Sequence, residues 1–153
     1  MEELELYKRK TINDSYELAE ELGRMNFIGW CKAMKQCEYV SSNSDKFGEY
    51  DVEILWRNKP GLVEIKFRDK YSSTDYDEWI VEKSKLDNLK RNNKGFKIFY
   101  YNLFADYNFA FWDITDFVPS YTFKKMLPKN NFTDEKVEKE VFLLLNNKAI
   151  TSK

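Results

Sequence analysis

The sequence predicts an α/β domain in which a mixed β-sheet is flanked by helices. The chain has 153 residues, which is the usual length of one domain and enough to bury a hydrophobic core. Its hydrophobic content of 42% includes 12 Phe, 10 Tyr and 4 Trp residues, which argues against disorder. Alternating apolar residues in the middle of the chain predict strands, and helical periodicity on both sides predicts the helices that cover them.

The first predicted element is an amphipathic helix from Asp14 to Met25. Leu18, Leu22 and Met25 recur there at helical spacing and define the face expected to pack on the sheet. Asp14 or the serine after it can cap the start of the helix. The next stretch, residues 27–36, is ambiguous, and we interpret it as helical.

The strongest local pattern is a β-hairpin. Residues 50–56 and residues 62–68 each alternate between apolar and polar side chains. The segment between them, Arg57–Gly61, contains a proline and a glycine and predicts the turn. A polar segment at residues 41–45 predicts a loop before the hairpin.

Beyond the hairpin and a polar loop, the pattern predicts one helix and two strands. The helix is expected at Glu78–Asn92, and the Lys94-Gly95 pair that follows is a good helix stop. Two aromatic strands are expected at Phe96–Asn102 and Asn108–Ile114. All of this is consistent with one domain over residues 1–153.

A last helix is predicted from Asp134 to Asn146, with Thr133 as its cap. Its apolar stripe consists of Val137, Val141, Leu144 and Leu145.

Composition excludes several classes of function. The chain has no histidine, which rules out Ser-His-Asp and Cys-His catalysis and any zinc site that needs imidazole. The two cysteines, Cys31 and Cys37, are too few for a cysteine-rich metal site, and we interpret them as ordinary cytosolic thiols. The start is too charged for a signal peptide, and the longest strongly apolar run is Val141–Leu145. We therefore expect a cytoplasmic protein that does not cross a membrane.

Charged side chains converge on one face of the predicted hairpin. Side chains alternate along a strand, so Glu64, Lys66 and Arg68 share a face of the second strand. Asp51 lies on the corresponding face of the first strand. A turn near residues 58–59 would place Asp51 opposite Lys66 and one pair away from Glu64. The hairpin therefore predicts two carboxylates and an ammonium on one patch of the sheet.

This set of groups suits phosphodiester hydrolysis. Two carboxylates with a backbone carbonyl beside them make a hard-oxygen site for Mg²⁺ or Mn²⁺. Such an ion can lower the pKa of a bound water and neutralise charge on a phosphodiester. A lysine two residues along the strand can reach the attacking water or the phosphate. The alternative is a solvated sheet face on which Lys66 and Asp51 pair across the strands.

At these residues the sequence resembles the PD-(D/E)XK nuclease superfamily. The matching residues are Asp51 on the first hairpin strand and Glu64-Ile65-Lys66 on the second, with a helix following. The resemblance covers about residues 14–114 and implies the restriction-endonuclease-like αβββαβ core, with the C-terminal helix as an addition. It implies that Asp51, Glu64 and the Ile65 carbonyl are metal ligands and that Lys66 is the catalytic lysine. The sequence departs from the pattern in having no proline before Asp51.

The resemblance also implies accessory residues on the two helices. Many of these enzymes carry an acid on the first helix, for which Glu17, Glu20 and Glu21 compete; Glu21 lies closest to the apolar stripe and Glu17 is next. The helix after the hairpin is expected to present Glu82 and Lys85 to the site. The alternatives are a solvated face for the first helix and an ordinary i,i+3 pair for the second.

Residues 59–97 carry ten basic and seven acidic side chains in a chain of net charge −1. The basic residues with which the site could contact DNA phosphates are Arg68, Lys70, Lys83 and Lys90. Each of them could equally be a solvated surface charge. The aromatic residues from Tyr100 to Phe104, with Phe109 and Trp112, could stack on unpaired bases, but strand core is the favoured interpretation.

The sequence therefore predicts an Mg²⁺- or Mn²⁺-dependent endonuclease that hydrolyses DNA. The chain has no separate recognition domain, which suggests structure-directed cleavage, as in resolvases and repair nucleases, or action as a homodimer. Two alternatives remain. One is a catalytically inactive module of the same fold that binds DNA or a protein partner. The other is an unrelated α/β binding domain with incidental hairpin acids.

Overall fold

A computed structural model describes residues 2–43, 50–91, 93–130 and 134–152, with side chains described from Glu17 onward. It contains two α-helices and nine β-strands in these segments. They are α1 (Glu2–Ala33), β1 (Cys37–Ser42), β2 (Val52–Trp56), β3 (Lys59–Arg68), β4 (Glu78–Glu82), α2 (Lys83–Arg91), β5 (Lys97–Phe104), β6 (Phe109–Asp113), β7 (Phe123–Pro128), β8 (Lys136–Leu145) and β9 (Ile150–Thr151).

The strands form two sheets. The larger sheet has the order β1-β2-β3-β5-β6-β9, and the smaller has the order β4-β8-β7. The larger sheet is mixed, because β3 and β5 run parallel while its other pairs are antiparallel. The predicted class, a mixed sheet with helices, is confirmed, and the two aromatic strands predicted in the middle of the chain are β5 and β6.

Both faces of the larger sheet are buried. On one face, Phe27 and Cys31 of α1 pack against strand residues such as Val52 and Phe99. The other face is covered by α2 and the smaller sheet, whose Phe142 is fully buried. A strand that is buried on both sides has an almost continuous apolar run, which explains the aromatic sequence of β5. These aromatic residues form core, as favoured above.

The buried face of α1 differs from the predicted one. Leu18 and Met25 are 61% and 60% exposed, whereas Gly23, Phe27 and Cys31 face the sheet. A Cβ on Gly23 would lie 3.1 Å from Cγ2 of Ile65, so a larger residue here would be crowded and the glycine allows the helix to pack closely on β3. The prediction was wrong because a glycine adds nothing to an apolar periodicity. The helix itself continues to Ala33, which confirms the helical interpretation of most of residues 27–36.

The central hairpin is confirmed, with a tighter turn than predicted. Arg57 and Asn58 alone connect the strands, and both have positive φ angles of 50° and 67°. Val52 pairs with Val63, so the register carries Asp51 to a position opposite Glu64 and not opposite Lys66. The shift is two residues, so every side chain stays on the face assigned to it.

The helix predicted at Glu78–Asn92 begins later than expected. Residues Glu78–Glu82 form β4, and the helix covers Lys83–Arg91, while Asn92 lies outside the described residues. Trp79 and Val81 alternate with less buried neighbours and pair with β8. The β-branched and aromatic residues of this segment favour a strand once β8 is present to receive it.

The predicted C-terminal helix is wrong. Residues 134–146 contain β8, which pairs with β4 on one side and with β7 on the other. Thr133, the predicted cap, lies outside the described residues. Val137 and Val141 are an even number of residues apart, so they fit the period of a strand as well as that of a helix. The sequence pattern did not predict β7, the other strand that pairs with β8.

Two further findings concern composition. Cys31 and Cys37 are joined by a disulfide, with their Cα atoms 5.2 Å apart, so the prediction of two free thiols is wrong. The bond links the last part of α1 to the first residue of β1. In the part of the chain that the structure describes, no helix is long and apolar enough to span a membrane.

Candidate functional site

Asp51 is fixed immediately before β2, at the end of the hairpin opposite the turn. Its backbone N–H donates to the Val63 carbonyl at 2.9 Å, and its Oδ2 accepts a hydrogen bond from the Ile65 N–H at 2.7 Å. The Asp51 carboxylate thus replaces the next backbone hydrogen bond of the β2–β3 pairing. Because the N–H and C=O of one strand residue point to the same neighbour, the Ile65 carbonyl also points to the edge where Asp51 lies.

Glu64 lies beside Asp51 on the same face, and its side chain is only 16% exposed. Burial, reinforced by the negative charge of Asp51 and opposed by the Lys85 ammonium, raises the pKa of Glu64 from 4.5 to about 8. Burial also raises the pKa of Asp51, against the hydrogen bond from Ile65. Two carboxylates that resist ionisation in each other's presence form a site that favours a cation.

Lys66 follows on the same face of β3. The residue is exposed, but protein atoms crowd its ammonium group. This crowding, together with the positive charges of Arg68 and Lys85, lowers the pKa of Lys66 to about 8. A lysine with a lowered pKa releases its proton more readily, and its neutral amine can accept a proton.

The donor set fits Mg²⁺ or Mn²⁺. Asp51, Glu64 and the Ile65 carbonyl supply hard oxygen atoms at one edge of the sheet, and Mg²⁺ is commonly held by one or two carboxylates together with waters and substrate phosphates. No group of three or more Asp, Glu, Cys or His residues that could hold a metal ion occurs among the described residues.

Helix α1 contributes residues that the sequence prediction ranked differently. The charge of Glu20 raises the pKa of both Asp51 and Glu64, so Glu20 is the acid of α1 whose field acts on the pair. Glu21 is 56% exposed and pairs with Arg24 at 3.1 Å, and Glu17 is exposed. Arg24, which was not predicted, places its Nη2 3.9 Å from Oδ1 of Asp51.

The two residues expected from the second helix come from two elements. Lys85, in the first turn of α2, reaches Glu64, with 3.4 Å between its Nζ and Oε1. Glu82 is the last residue of β4 and pairs with Lys139 at 3.1 Å. They are therefore not an i,i+3 pair of one helix. The charge of Glu82 nevertheless acts on both Lys66 and Lys85.

The four residues predicted to contact DNA have different environments. The Arg68 side chain makes its contacts within the fold. It donates to Oδ1 of Asn102 and to the Ile80 carbonyl, and its Cζ atom lies 5.3 Å from the centre of the Trp79 ring. Lys90 donates to the Phe117 carbonyl at 2.6 Å. Lys83 pairs with Asp87 at 2.9 Å on the outside of α2, and Lys70 is exposed.

Two buried polar residues of β5 were missed. The parallel register places Tyr100 beside Glu64 and Asn102 beside Lys66. Tyr100 is 2% exposed, and Asn102, at 0%, is the buried polar residue of the core in the described segments. The Nδ2 atom of Asn102 has no hydrogen-bond partner among the described residues. The alternation of β5 could have placed both residues on the site face if its parallel pairing with β3 had been known.

We expect the buried acid pair to make the protein less stable as the pH rises. Glu64 keeps its proton in the folded state up to a pH of about 8, whereas an exposed glutamate loses it near 4.5. Since the unfolded chain binds fewer protons in this window, the free energy of unfolding falls between pH 5 and pH 7.5. Glu64→Gln should flatten this fall and raise stability at pH 7.5 by about 1–3 kcal/mol.

The measurement is denaturant unfolding in the absence of divalent cations at several pH values. Glu53→Gln, a change of the same type on the same face of β2, is the control and should keep the wild-type slope. A Glu64→Gln variant whose stability falls with pH as steeply as the wild type would show that Glu64 ionises normally.

Comparison with known proteins does not show a family for this chain. No protein-family model and no curated protein matches the chain. Among solved structures, that of Hjc, a Holliday junction resolvase from the archaeal hyperthermophile Archaeoglobus fulgidus, aligns with 73% of this chain and 83% of its own chain, at 8% identity and a TM-score of 0.45. At this identity and TM-score, the function has to be inferred from the chain's own residues.

Proposed function

We propose that this chain is an Mg²⁺- or Mn²⁺-dependent endonuclease of the PD-(D/E)XK type that hydrolyses DNA phosphodiester bonds. One observation carries the proposal: the buried, mutually repelling carboxylates of Asp51 and Glu64 lie at one edge of the sheet with Lys66 on the same face. A surface ion-pair network would leave these carboxylates in water, where their pKa values stay ordinary. Structure-directed cleavage, as in a resolvase or repair nuclease, is part of this proposal.

Each residue has a distinct role in the proposed reaction. When bound, the divalent ion would neutralise charge on the phosphodiester and make a water more acidic. Asp51 and Glu64 hold the ion, and the hydrogen bond from Ile65 fixes the orientation of Asp51 before substrate arrives. Lys66, with its lowered pKa, takes a proton from the attacking water or donates a hydrogen bond to the phosphate.

The order of the elements supports this proposal. Helix α1, strands β1, β2 and β3, helix α2 and strand β5 follow one another as in the αβββαβ core, with β4 added before α2. Asp51 and Glu64 lie on the hairpin within that series, as the resemblance implies. The parallel pairing of β3 with β5 is the pairing that a helical crossover between them requires.

A second candidate is a module of the same fold that binds DNA or a protein without cleavage. Its support is that the site is already satisfied internally: Oδ2 of Asp51 accepts from Ile65, and each carboxylate has a cation within 4 Å. If those pairs persist in the presence of metal and DNA, Asp51 and Glu64 serve only to join strands and helices.

A divalent titration with a nicking assay separates the two candidates. We expect wild-type protein with Mn²⁺ or Mg²⁺ to show a raised melting temperature, because ligands that bind only the folded state stabilise it. We also expect it to nick at least one of a set of DNA duplexes, flaps and four-way junctions. Stabilisation without nicking of any of these DNAs would favour the non-cleaving module, and no response to either ion would reject the proposed nuclease.

A further inference from the structure

The carboxylate pair is matched by a pair of cations from two different helices. Arg24 of α1 lies 3.9 Å from Asp51, and Lys85 of α2 lies 3.4 Å from Glu64. With both carboxylates ionised, as metal binding requires, these four formal charges cancel. A divalent cation bound between the carboxylates would make this group of four positive, which favours an anion from outside.

The two cations differ in their freedom to move. The Arg24 side chain is 24% exposed and also bonds to Glu21, so two carboxylates hold it. The Lys85 side chain is 41% exposed, lies in the first turn of α2 and meets Glu64 at a distance longer than that of a strong charged hydrogen bond. A lysine ammonium on a flexible stem can exchange partners at low cost when its partner's charge is taken by a metal.

We propose that Lys85 is a phosphate-positioning residue that pairs with Glu64 in the free protein and transfers to a phosphate oxygen of nucleic acid when a divalent cation binds Asp51 and Glu64. This inference rests on the proposed function. The transfer involves no covalent change: one ion pair breaks and another forms. Lys85 thereby links metal binding to DNA binding, and by linkage each ligand must tighten the other by the same factor.

The surroundings of Lys85 leave a phosphate as the next acceptor. Besides Glu64, the groups whose charges act on Lys85 include Asp51, Tyr100 and Glu82. Tyr100 is buried in the core, and Glu82 already pairs with Lys139 at 3.1 Å. Once a cation occupies Asp51 and Glu64, none of these described groups offers Lys85 a carboxylate that is not already bound to a cation, whereas a DNA backbone at the site supplies an anion.

The direct test is lysine-selective labelling of the wild-type protein followed by mass spectrometry. Lys85 should label slowly without metal, because its ammonium group is held 3.4 Å from Oε1 of Glu64. Saturating Mn²⁺ should raise its labelling rate about threefold or more, since a cation bound by Glu64 releases the ammonium group to solvent. A phosphorothioate DNA duplex with a single-stranded overhang, which resists cleavage, should then suppress that labelling. Lys83, on the same helix but paired with Asp87, is the control and should not respond to Mn²⁺.

A second measurement uses the salt dependence of binding to the same DNA. The quantity measured is the slope of the logarithm of the DNA-binding constant against the logarithm of the salt concentration. Lys85→Met should reduce the magnitude of this slope by about one in the presence of Mn²⁺ and leave it unchanged without Mn²⁺. Lys97→Met is the control, because Lys97 lies at the start of β5 and pairs with Asp113 at 2.9 Å. If Mn²⁺ stabilises the protein but Lys85 labelling and the slope do not change, this inference is wrong while the metal site stands. If Mn²⁺ does not bind at all, the proposed function fails, and the inference fails with it.

Discussion

Glu64→Gln is expected to reduce divalent-dependent DNA cleavage by about a thousandfold or more, because a divalent ion contributes several kcal/mol to the stabilisation of charge in phosphodiester hydrolysis. Glutamine keeps the shape of the side chain but supplies no negative charge. Lys85 loses its partner, but it is 41% exposed and can be solvated, so folding should survive. Mn²⁺ should no longer raise the melting temperature of this variant.

The control for this prediction is Glu53→Gln, which removes a carboxylate from the same face of the hairpin two residues beyond Asp51. It should cleave like the wild type. Asp51→Asn should resemble Glu64→Gln in its loss of metal binding, while its amide oxygen can still accept from Ile65. Undiminished cleavage by Glu64→Gln would remove this carboxylate from the active site.

The hairpin shows which part of a site a sequence can predict. The assignment of Asp51, Glu64 and Lys66 to one face depends on alternation alone, and it survives the two-residue error in register. The register depended on the turn. The proline and glycine at residues 60–61 predicted a longer turn, whereas Arg57 and Asn58 make it alone, in a left-handed conformation that few residues other than glycine adopt readily.

Contacts between distant elements could not be predicted. Arg24 reaches Asp51 because Gly23 lets α1 pack closely on β3, and a glycine carries no apolar signal. Tyr100 and Asn102 join the site through the parallel pairing of β3 with β5, which sequence alternation does not reveal. The sequence predicted Lys85 at the edge of the inward face of a longer helix. Lys85 is helical in the structure because α2 retains the second half of that predicted helix.

The errors at the end of the chain have another cause. Val137, Val141 and Leu145 are four residues apart, a spacing that fits one face of a helix and one face of a strand. Whether such a segment forms a helix or a strand depends on whether neighbouring strands can pair with it, and β4 and β7 pair with β8. Pairing with β8 also explains why Glu78–Glu82, the start of the second predicted helix, form the strand β4. These strands form the smaller sheet, whose Trp79, Val81, Phe142 and Leu144 pack with Leu62 and Tyr100 on the site face of the larger sheet.

Lys66→Ala is expected to lower DNA cleavage about 10²–10⁴-fold while leaving metal binding nearly intact, which is the range for loss of a positioned acid–base group. Lysine is not a metal ligand, and removing its positive charge should, if anything, tighten Mn²⁺ binding. This separation distinguishes Lys66 from the two carboxylates, whose loss should abolish metal binding and cleavage together. The residue is exposed, so the variant should also fold with near wild-type stability.

The measurements are the Mn²⁺-dependent melting temperature and the single-turnover nicking rate of the same preparation. Lys97→Ala is the matched control, because Lys97 lies at the other end of β5, where it pairs with Asp113 at 2.9 Å. It should bind Mn²⁺ and cleave like the wild type. Cleavage that persists in Lys66→Ala would assign the proton transfer to another group. Lys85 is then the first candidate, because it is the lysine in contact with Glu64.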